Sequence, residues 1–433
     1  MIPPAILSAC ASYEPKPLND DPVSIHELAA LPGAQQGPLT IDEVVTLAVN
    51  NNPDLIAART KRGVAQAQLQ SAGILPNPVL SLSYADVQSG PGTVAALGAG
   101  IMQDVRAFIT RGPNREAAAN AARAVDANVL WEEWQLAGKA RLLAVDIVQG
   151  NQQLALLIAN ADLADERLAK TRRATERGDE TLVSLAPDIT AAADAYKAFD
   201  DADRAQQTRR RDLATLLGLA SDTPLSLSSQ LALPQVDPAA IEGRLDDLPR
   251  FRPDLAALQF GYASEEAKLR GAILLQFPAF SLGVAAARDT SNVRTLGPQA
   301  TIDLPLFDRG QGKLSEETAT RDQLHAEYSA RLHAARAEVE SLLADQRLLF
   351  EQLTSKRAQL RQMEMPAHLA EAAVHAGDID TRTYVDLLTS RNSKQQEALA
   401  AETLLLEQQV ALATLVGAGL RPLVLESADS SHD

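Results

Sequence analysis

The chain has 433 residues and a formal net charge of −16, with 46% hydrophobic but only 4% aromatic residues. So acidic a chain would repel the phosphate backbone of nucleic acids, which excludes nucleic acid as an expected partner. Few aromatic side chains, and long segments rich in Ala, Leu, Glu, Arg and Gln, predict long helices packed side by side rather than one large globular core.

The N-terminal segment, residues 1–38, is interpreted as a signal or lipoprotein segment. Cys10 is the single cysteine and follows Leu7-Ser8-Ala9, which resembles a bacterial lipobox. This pattern predicts a lipid on Cys10 and excludes a disulfide framework. The residues before Cys10 contain no Lys or Arg and are too few for an ordinary signal peptide. Two interpretations stay open: the start is truncated, or the cysteine is incidental.

An internal repeat sets the organisation of the chain. Pro53-Asp54-Leu55 recurs as Pro253-Asp254-Leu255, and Leu213–Gly218 has its counterpart in Leu412–Gly417. Matches that keep register over most of a chain predict two copies of one structural unit. We therefore expect a first repeat over 39–218, a connecting segment over 219–247, a second repeat over 248–418 and a tail over 419–433.

Each repeat shows the same order of predicted elements: a helix, two strands, a very long helix and a return helix. In the first repeat these helices are predicted over Asp54–Gly73, over Asn114–Arg177 with a break at Gly178, and then up to Gly218. In the second repeat the long helix is predicted over Lys313–Ala376, and its return helix ends at Gly417. A helix of about 64 residues is roughly 96 Å long, which favours a projecting hairpin.

The strand segments alternate between large apolar residues and small or polar residues. This holds for Leu80–Ala85, Phe280–Ala286 and Gln299–Leu304. Apolar-out and polar-in alternation is typical of outer-membrane barrels, although a half-buried strand of a soluble sheet explains each segment alone. No window of eighteen consecutive apolar residues occurs, so any membrane crossing is expected to use strands. Four strands cannot close alone, whereas two chains would supply eight and three would supply twelve.

Five segments resemble the TolC-like outer-membrane efflux family in their order along the chain. They are Leu39–Val44, Asn52–Leu55, Gly73–Pro78, Leu304–Gly310 and Thr381–Asp386. The resemblance covers roughly residues 39–418. It implies a mainly α protein with a small β part, an internally duplicated protomer of a homotrimer. The trimer's twelve-stranded β-barrel lies in the outer membrane of a Gram-negative bacterium and continues as a long periplasmic α-helical barrel. It also implies a periplasmic adaptor (membrane fusion) protein and an inner-membrane RND-type transporter as partners.

The resemblance also implies a periplasmic gate near the two hairpin turns. Arg382 and Asp386 lie one helical turn apart and are expected to pair, and Asp188 is the counterpart of Asp386 in the first repeat. An arginine and aspartates at these positions hold the channel mouth shut in the resembling family. Its further aspartate falls at Thr389 here, so the network differs, and an ordinary surface ion pair is the alternative. The turns, at Gly178-Asp179 and Gly377-Asp378, are expected to contact the adaptor.

No motif for covalent chemistry occurs in the sequence, so we expect no enzyme activity, no cofactor and no metal site. The favoured function is an efflux exit duct for metal cations or small toxic compounds. A short first strand loop and Pro76-Asn77-Pro78 resemble the metal-cation branch. An exit duct for type I protein secretion is one alternative. A soluble periplasmic coiled-coil scaffold is another, although it would not explain four alternating strands.

Overall fold

The computed structural model describes residues 13–18, 25–35, 37–233, 237–243 and 245–420. Cys10 and its predicted lipid lie outside these described residues. The first half of the described chain contains, in order, α1 (Ile41–Asn51), α2 (Pro53–Ala72), β1 (Val79–Ala85), β2 (Ala96–Asp104), α3 (Arg106–Glu176) and α4 (Leu182–Leu216). The second half contains α5 (Pro238–Glu242), α6 (Leu248–Phe251), α7 (Pro253–Leu274), β3 (Phe280–Arg288), β4 (Arg294–Ile302), α8 (Gln311–Ala376) and α9 (Thr381–Leu415).

The four strands form one antiparallel sheet in the order β1-β2-β3-β4. Leu82 pairs with Ala99, Ala99 with Ala286, and Ala286 with Leu296, so these four residues share one face of the sheet. Ser81 pairs with Gly100, and Gly100 continues through Ala285 to Gly297 on the opposite face. The first face therefore carries large apolar side chains, and the second carries small ones.

The same division continues along the sheet. The face with large side chains bears Leu80, Leu82, Tyr84, Leu97, Ile101, Leu282, Val284, Leu296 and Ile302, all more than 40% exposed. The opposite face bears Ser81, Ser83, Gly98, Gly100, Gly283, Gly297, Gln299 and Thr301. A sheet with one exposed apolar face and one small, polar face suits lipid on one side and water on the other.

The long helices agree with the expected element order but begin earlier. α3 has 71 residues and α8 has 66, which correspond to lengths of about 107 and 99 Å. α3 starts at Arg106 rather than at Asn114. In the first repeat no proline stands at the strand exit, so the chain turns into a helix after the single residue Val105. The backbone N–H of Arg106 donates to Asp104 Oδ1 at 2.8 Å and satisfies one donor of the first turn.

The main apolar core lies where the middle of α3 packs against α1 and the end of α4. It is formed largely by small and branched side chains, among them Val44, Leu47, Ala140, Val145, Leu213 and Leu217. α3 contains an 18-residue window of mean hydropathy 1.3, apolar enough by length and composition to cross a membrane, although 33% of that window is buried. The core contacts of Ala140 and Val145 explain why this part of α3 is apolar.

Candidate functional site

The two hairpin turns at the far ends of the long helices have the same backbone geometry. Gly178 has φ +81° and Gly377 has φ +80°, a left-handed conformation that favours glycine. Asp179 N donates to Ala174 O at 2.9 Å, and Asp378 N donates to Ala373 O at 2.9 Å. Both long helices therefore end in the same glycine cap, which satisfies their last carbonyl groups and reverses the chain.

Side chains cap the two return helices immediately after these turns. The carboxylate of Asp380 accepts the backbone N–H of Thr383 at 2.7 Å, and this hydrogen bond lowers the pKa of Asp380. Thr181 and Ser184 form a reciprocal capping pair at the start of α4. These caps hold the start of each return helix rigidly against its turn, so that residues one or two turns further on take fixed positions.

Arg167 is the centre of the ion-pair network near the tips. It lies on α3, and its Nε donates to Asp188 Oδ1 on α4 at 2.8 Å. Its Nη1 contacts the carboxylate of Asp386 on α9 in a short hydrogen bond. One guanidinium group therefore joins the hairpin of the first repeat to the return helix of the second. The planar fork of arginine suits it to such a double contact.

Asp188 is completely buried at the centre of this network, with 0% exposure of its side chain. In addition to Arg167, Thr171 Oγ1 donates to Asp188 Oδ2 at 2.6 Å. Arg382 Nη2 lies 3.7 Å from Asp188 Oδ1, within ion-pair distance but too far for a normal hydrogen bond. The buried carboxylate is thus compensated by two cations and one hydroxyl, as a buried charge requires.

All three residues predicted for the gate meet in this network, but the expected contact within α9 does not form. No ion pair joins Arg382 to Asp386 among the described residues, because Arg382 turns towards the buried Asp188 and Asp386 binds Arg167 instead. The sequence reasoning missed Arg167. A signal for it was available: Arg167 and Asp188 stand at nearly equal separations from Gly178, and such residues face each other in a helical hairpin.

The bridging arginine is present in the first repeat and not in the second. Gly178 of the first repeat corresponds to Gly377 of the second. By the same offset, Arg167 of α3 corresponds to Pro366 of α8. Proline has no charge and no side-chain donor, so α8 supplies no equivalent of the bridging arginine. The exposed turn residues also differ: Asp179 pairs with Arg177 at 3.2 Å, whereas no described residue forms an ion pair with Asp378.

His, Asp and Glu side chains occur throughout the part of the chain that the structure describes. Within it, no cluster of three or more His, Cys, Asp or Glu side chains has a geometry that could hold a metal ion. Four aspartates at the tips are instead engaged with arginines or backbone N–H groups, namely Asp179, Asp188, Asp380 and Asp386. The site can therefore form and break ion pairs between neighbouring helices.

Comparison with known proteins agrees with this architecture. Residues 246–418 match the family model described as "Outer membrane efflux protein". The chain is 25% identical over 386 residues to the cobalt-zinc-cadmium resistance protein CzcC of Cupriavidus metallidurans, with 84% of this chain and 85% of CzcC covered. It is 24% identical over 406 residues to the pyoverdine export outer membrane protein OpmQ of Pseudomonas putida, covering 88% and 86% of the two chains.

The fold is similar to that of solved outer-membrane channels. The structure of the outer-membrane channel OprN superposes with a TM-score of 0.72 at 18% identity, covering 95% of this chain and 99% of OprN. An antiparallel sheet with one apolar face, continued by helices of about 100 Å, is the architecture shared with these channels. The chain is therefore similar in sequence and in fold to outer-membrane efflux proteins. These matches support the expectation of an outer-membrane channel.

Proposed function

We propose that three copies of this chain form the outer-membrane exit duct of a tripartite efflux system. The observation that carries this proposal is the four-stranded sheet, whose edge strands β1 and β4 each pair on one side alone in the described residues. Open strand edges are not tolerated in the hydrocarbon of a bilayer, so the sheet must be closed by further copies. Three copies supply twelve strands, wide enough to leave a passage, whereas two would give a barrel filled by side chains.

The passage through the proposed barrel would be lined by the face with small side chains. Apart from Asp104 at the end of β2, its strand residues, such as Ser81, Ser83, Gln299 and Thr301, carry no charge, so they offer little specific binding to cargo. This supports a passive duct whose selectivity resides in its partners and at its periplasmic mouth. The cargo in this proposal is metal cations or small toxic compounds. The similarity to a cobalt-zinc-cadmium resistance protein supports cations, and the similarity to a pyoverdine export protein supports a small organic compound.

In this proposal the Arg167 network holds the periplasmic mouth shut, and the two turns receive the adaptor. A periplasmic adaptor protein and an RND-type inner-membrane transporter would deliver the cargo. The turns at Gly178 and Gly377 lie a full helix length from the sheet, about 100 Å, which suits them to meet proteins anchored in the inner membrane. Links at such a mouth must break readily, and exposed ion pairs worth about 1 kcal/mol or less meet that requirement.

Two measurements test the duct itself. The protein purified in mild detergent should give the mass of three chains by light scattering, and it should produce single-channel currents in a planar bilayer. A monodisperse monomer without channel activity would contradict the proposal. Cargo is tested separately: deletion of the gene should increase sensitivity to cobalt, zinc or cadmium salts or to small organic toxins. Loss of a secreted protein, with unchanged sensitivity, would favour type I secretion instead.

A further inference from the structure

A pair of arginines lies at the end of the sheet furthest from the long helices. Arg288 is the last residue of β3 and Arg294 is the first residue of β4, and the two are paired directly across the strands. Leu97 of β2 pairs with Arg288, and Tyr84 of β1 pairs in turn with Leu97. By the alternation of the strands, these four residues lie on the face with large apolar side chains, where they line a common shallow depression.

Two arginines in this position are unfavourable without a ligand. Like charges directly opposite each other destabilise a strand pair. An arginine on the lipid-facing side of a barrel also destabilises it, by an amount that falls towards the membrane interface. Neither effect is relieved inside the chain, because no ion pair of the described residues includes Arg288 or Arg294. The pair is therefore available to negative charge from outside the protein.

The hydrogen bonds around the arginines leave donors free. The Nη2 of Arg288 donates to Ala95 O at 3.1 Å. The Nε of the same arginine is buried and has no acceptor among the described residues. The carboxylates of the adjoining loops are occupied elsewhere. Asp289 accepts the backbone N–H groups of Ser291 and Val293 at 2.8 and 2.9 Å, and Asp86 accepts that of Val87 at 3.0 Å.

The position of the pair fixes the chemistry that surrounds it. The helices leave the other end of the sheet and extend into the periplasm, so the loops over 86–95 and 289–293 face the cell exterior. Arg288 and Arg294 then lie at the height of the lipid headgroups of the outer leaflet. Tyr84 beside them suits the aromatic girdle found at such interfaces. The outer leaflet of this membrane consists mainly of lipopolysaccharide, whose lipid A carries phosphate groups on a disaccharide.

We propose that Arg288 and Arg294 form a binding site for a lipid A phosphate on the outer wall of the channel. Two guanidinium groups on paired residues that line one depression can together donate several hydrogen bonds to one phosphate, and arginine is preferred over lysine for such contacts. The acyl chains would lie along the apolar face below, against Leu82 and Leu296. This site is separate from the duct and from its gate, and it concerns the lipid that surrounds the channel.

Native mass spectrometry of the detergent-solubilised protein, titrated with purified lipid A, tests the site. The parent should bind lipid A at least about tenfold more tightly than the doubly dephosphorylated lipid, as expected for loss of several charge-assisted hydrogen bonds. Arg288→Gln combined with Arg294→Gln should weaken lipid A binding by a similar factor. Arg309→Gln is the matched control, because Arg309 is an exposed arginine at the opposite, periplasmic end of β4, and it should bind as the parent does.

Three results would overturn the proposal. They are equal binding of the two lipids by the parent, unchanged binding by the double variant, and binding of phosphatidylglycerol as tight as that of lipid A. If the double variant fails to fold, Arg294→Gln alone and the comparison of lipids on the parent remain decisive. Lipid bound per chain is read from mass and does not depend on conduction, so the site and the duct can fail independently.

Discussion

Asp188 on α4 and Asp386 on α9, the two return helices, are both bound by the same arginine, Arg167. Their surroundings differ. The side chain of Asp188 is 0% exposed, whereas that of Asp386 is 57% exposed. A buried, multiply hydrogen-bonded pair persists, but an exposed pair is weak and screened by salt. The contact between Arg167 and Asp188 therefore anchors the arginine on the first hairpin, and its contact with Asp386 is the link that can open.

Asp386→Ala should open the mouth without affecting the fold. It removes the exposed link alone, so single-channel conductance in a planar bilayer should rise. Unfolding stability should change by about 1 kcal/mol or less. Loss of a carboxylate near a constriction should also lower the preference for cations over anions. Asp378→Ala is the control, an exposed carboxylate at the neighbouring turn outside the network. Parental conductance and selectivity in Asp386→Ala would place the constriction elsewhere.

Arg167→Ala should both open the mouth and destabilise the tips. It breaks the same link as Asp386→Ala and also leaves the buried Asp188 with Thr171 and the more distant Arg382. We expect higher conductance together with a loss of about 2–3 kcal/mol in unfolding stability. Because both substitutions remove the same contact between Arg167 and Asp386, the double variant should conduct no better than either single variant. Arg172→Ala, an exposed arginine of the same helix, should resemble the parent. Additive effects on conductance would mean that the two residues act separately.

Cysteines introduced at Asp179 or Asp378 should crosslink to the tip of a periplasmic adaptor. Both residues are exposed at the hairpin turns, a full helix length from the membrane strands. A cysteine at Ser291, in the loop at the opposite end of the sheet, should react with membrane-impermeant reagents added outside the cell and should give no adaptor crosslink. The reverse labelling pattern would show that the chain is inserted with its helices outside.

Asp254→Ala should be among the more destabilising single substitutions. Arg252 is fully buried and binds Asp254 through two hydrogen bonds of 3.0 and 2.8 Å, and Arg331 adds a third of 2.8 Å. Burial opposes the charge of Asp254, but these arginines lower its pKa below the usual value. Removal of the carboxylate leaves a buried cation unpaired, at a cost of about 3 kcal/mol by denaturant unfolding. The control Asp54→Ala, its exposed counterpart in the first repeat, should cost under about 1 kcal/mol. Equal losses would disprove a special role for the buried pair.

Glu407→Gln should remove a pH dependence of stability. Burial and a hydrogen bond with Asp146 raise the pKa of Glu407 from 4.5 to about 7. Between these values the folded chain holds a proton that the unfolded chain has released, so stability falls as pH rises through this window. The variant should therefore be more stable than the parent at pH 8, by about 1 kcal/mol after allowance for solvent screening, and similar below pH 4. Thermal unfolding midpoints across this range provide the measurement, with the exposed Glu364→Gln as control. An identical pH profile for parent and variant would refute the assignment.

The sequence predicted the long helices, because a repeated order of elements and glycines at their ends leave few alternatives. It also predicted that the strands have two unlike faces, because the alternation has a period of two. The ion pairs were harder to predict. Adjacency along α9 suggested that Arg382 pairs with Asp386, but a charge selects its partner from all helices packed around it. Arg167 lies on another helix, and Asp188 gains most from it because that carboxylate is buried. Such choices depend on burial, which a linear sequence does not state.

The junctions between sheet and helices give the two repeats different mechanical properties. In the first repeat β2 passes into α3 through Val105 alone, and a hydrogen bond to Asp104 fixes the start of the helix. In the second repeat residues 303–310 separate β4 from α8. The junction between β2 and α3 therefore has few backbone torsions that can change, whereas the junction between β4 and α8 has many more. We therefore expect a displacement of the second hairpin to be taken up in residues 303–310 rather than in the strands.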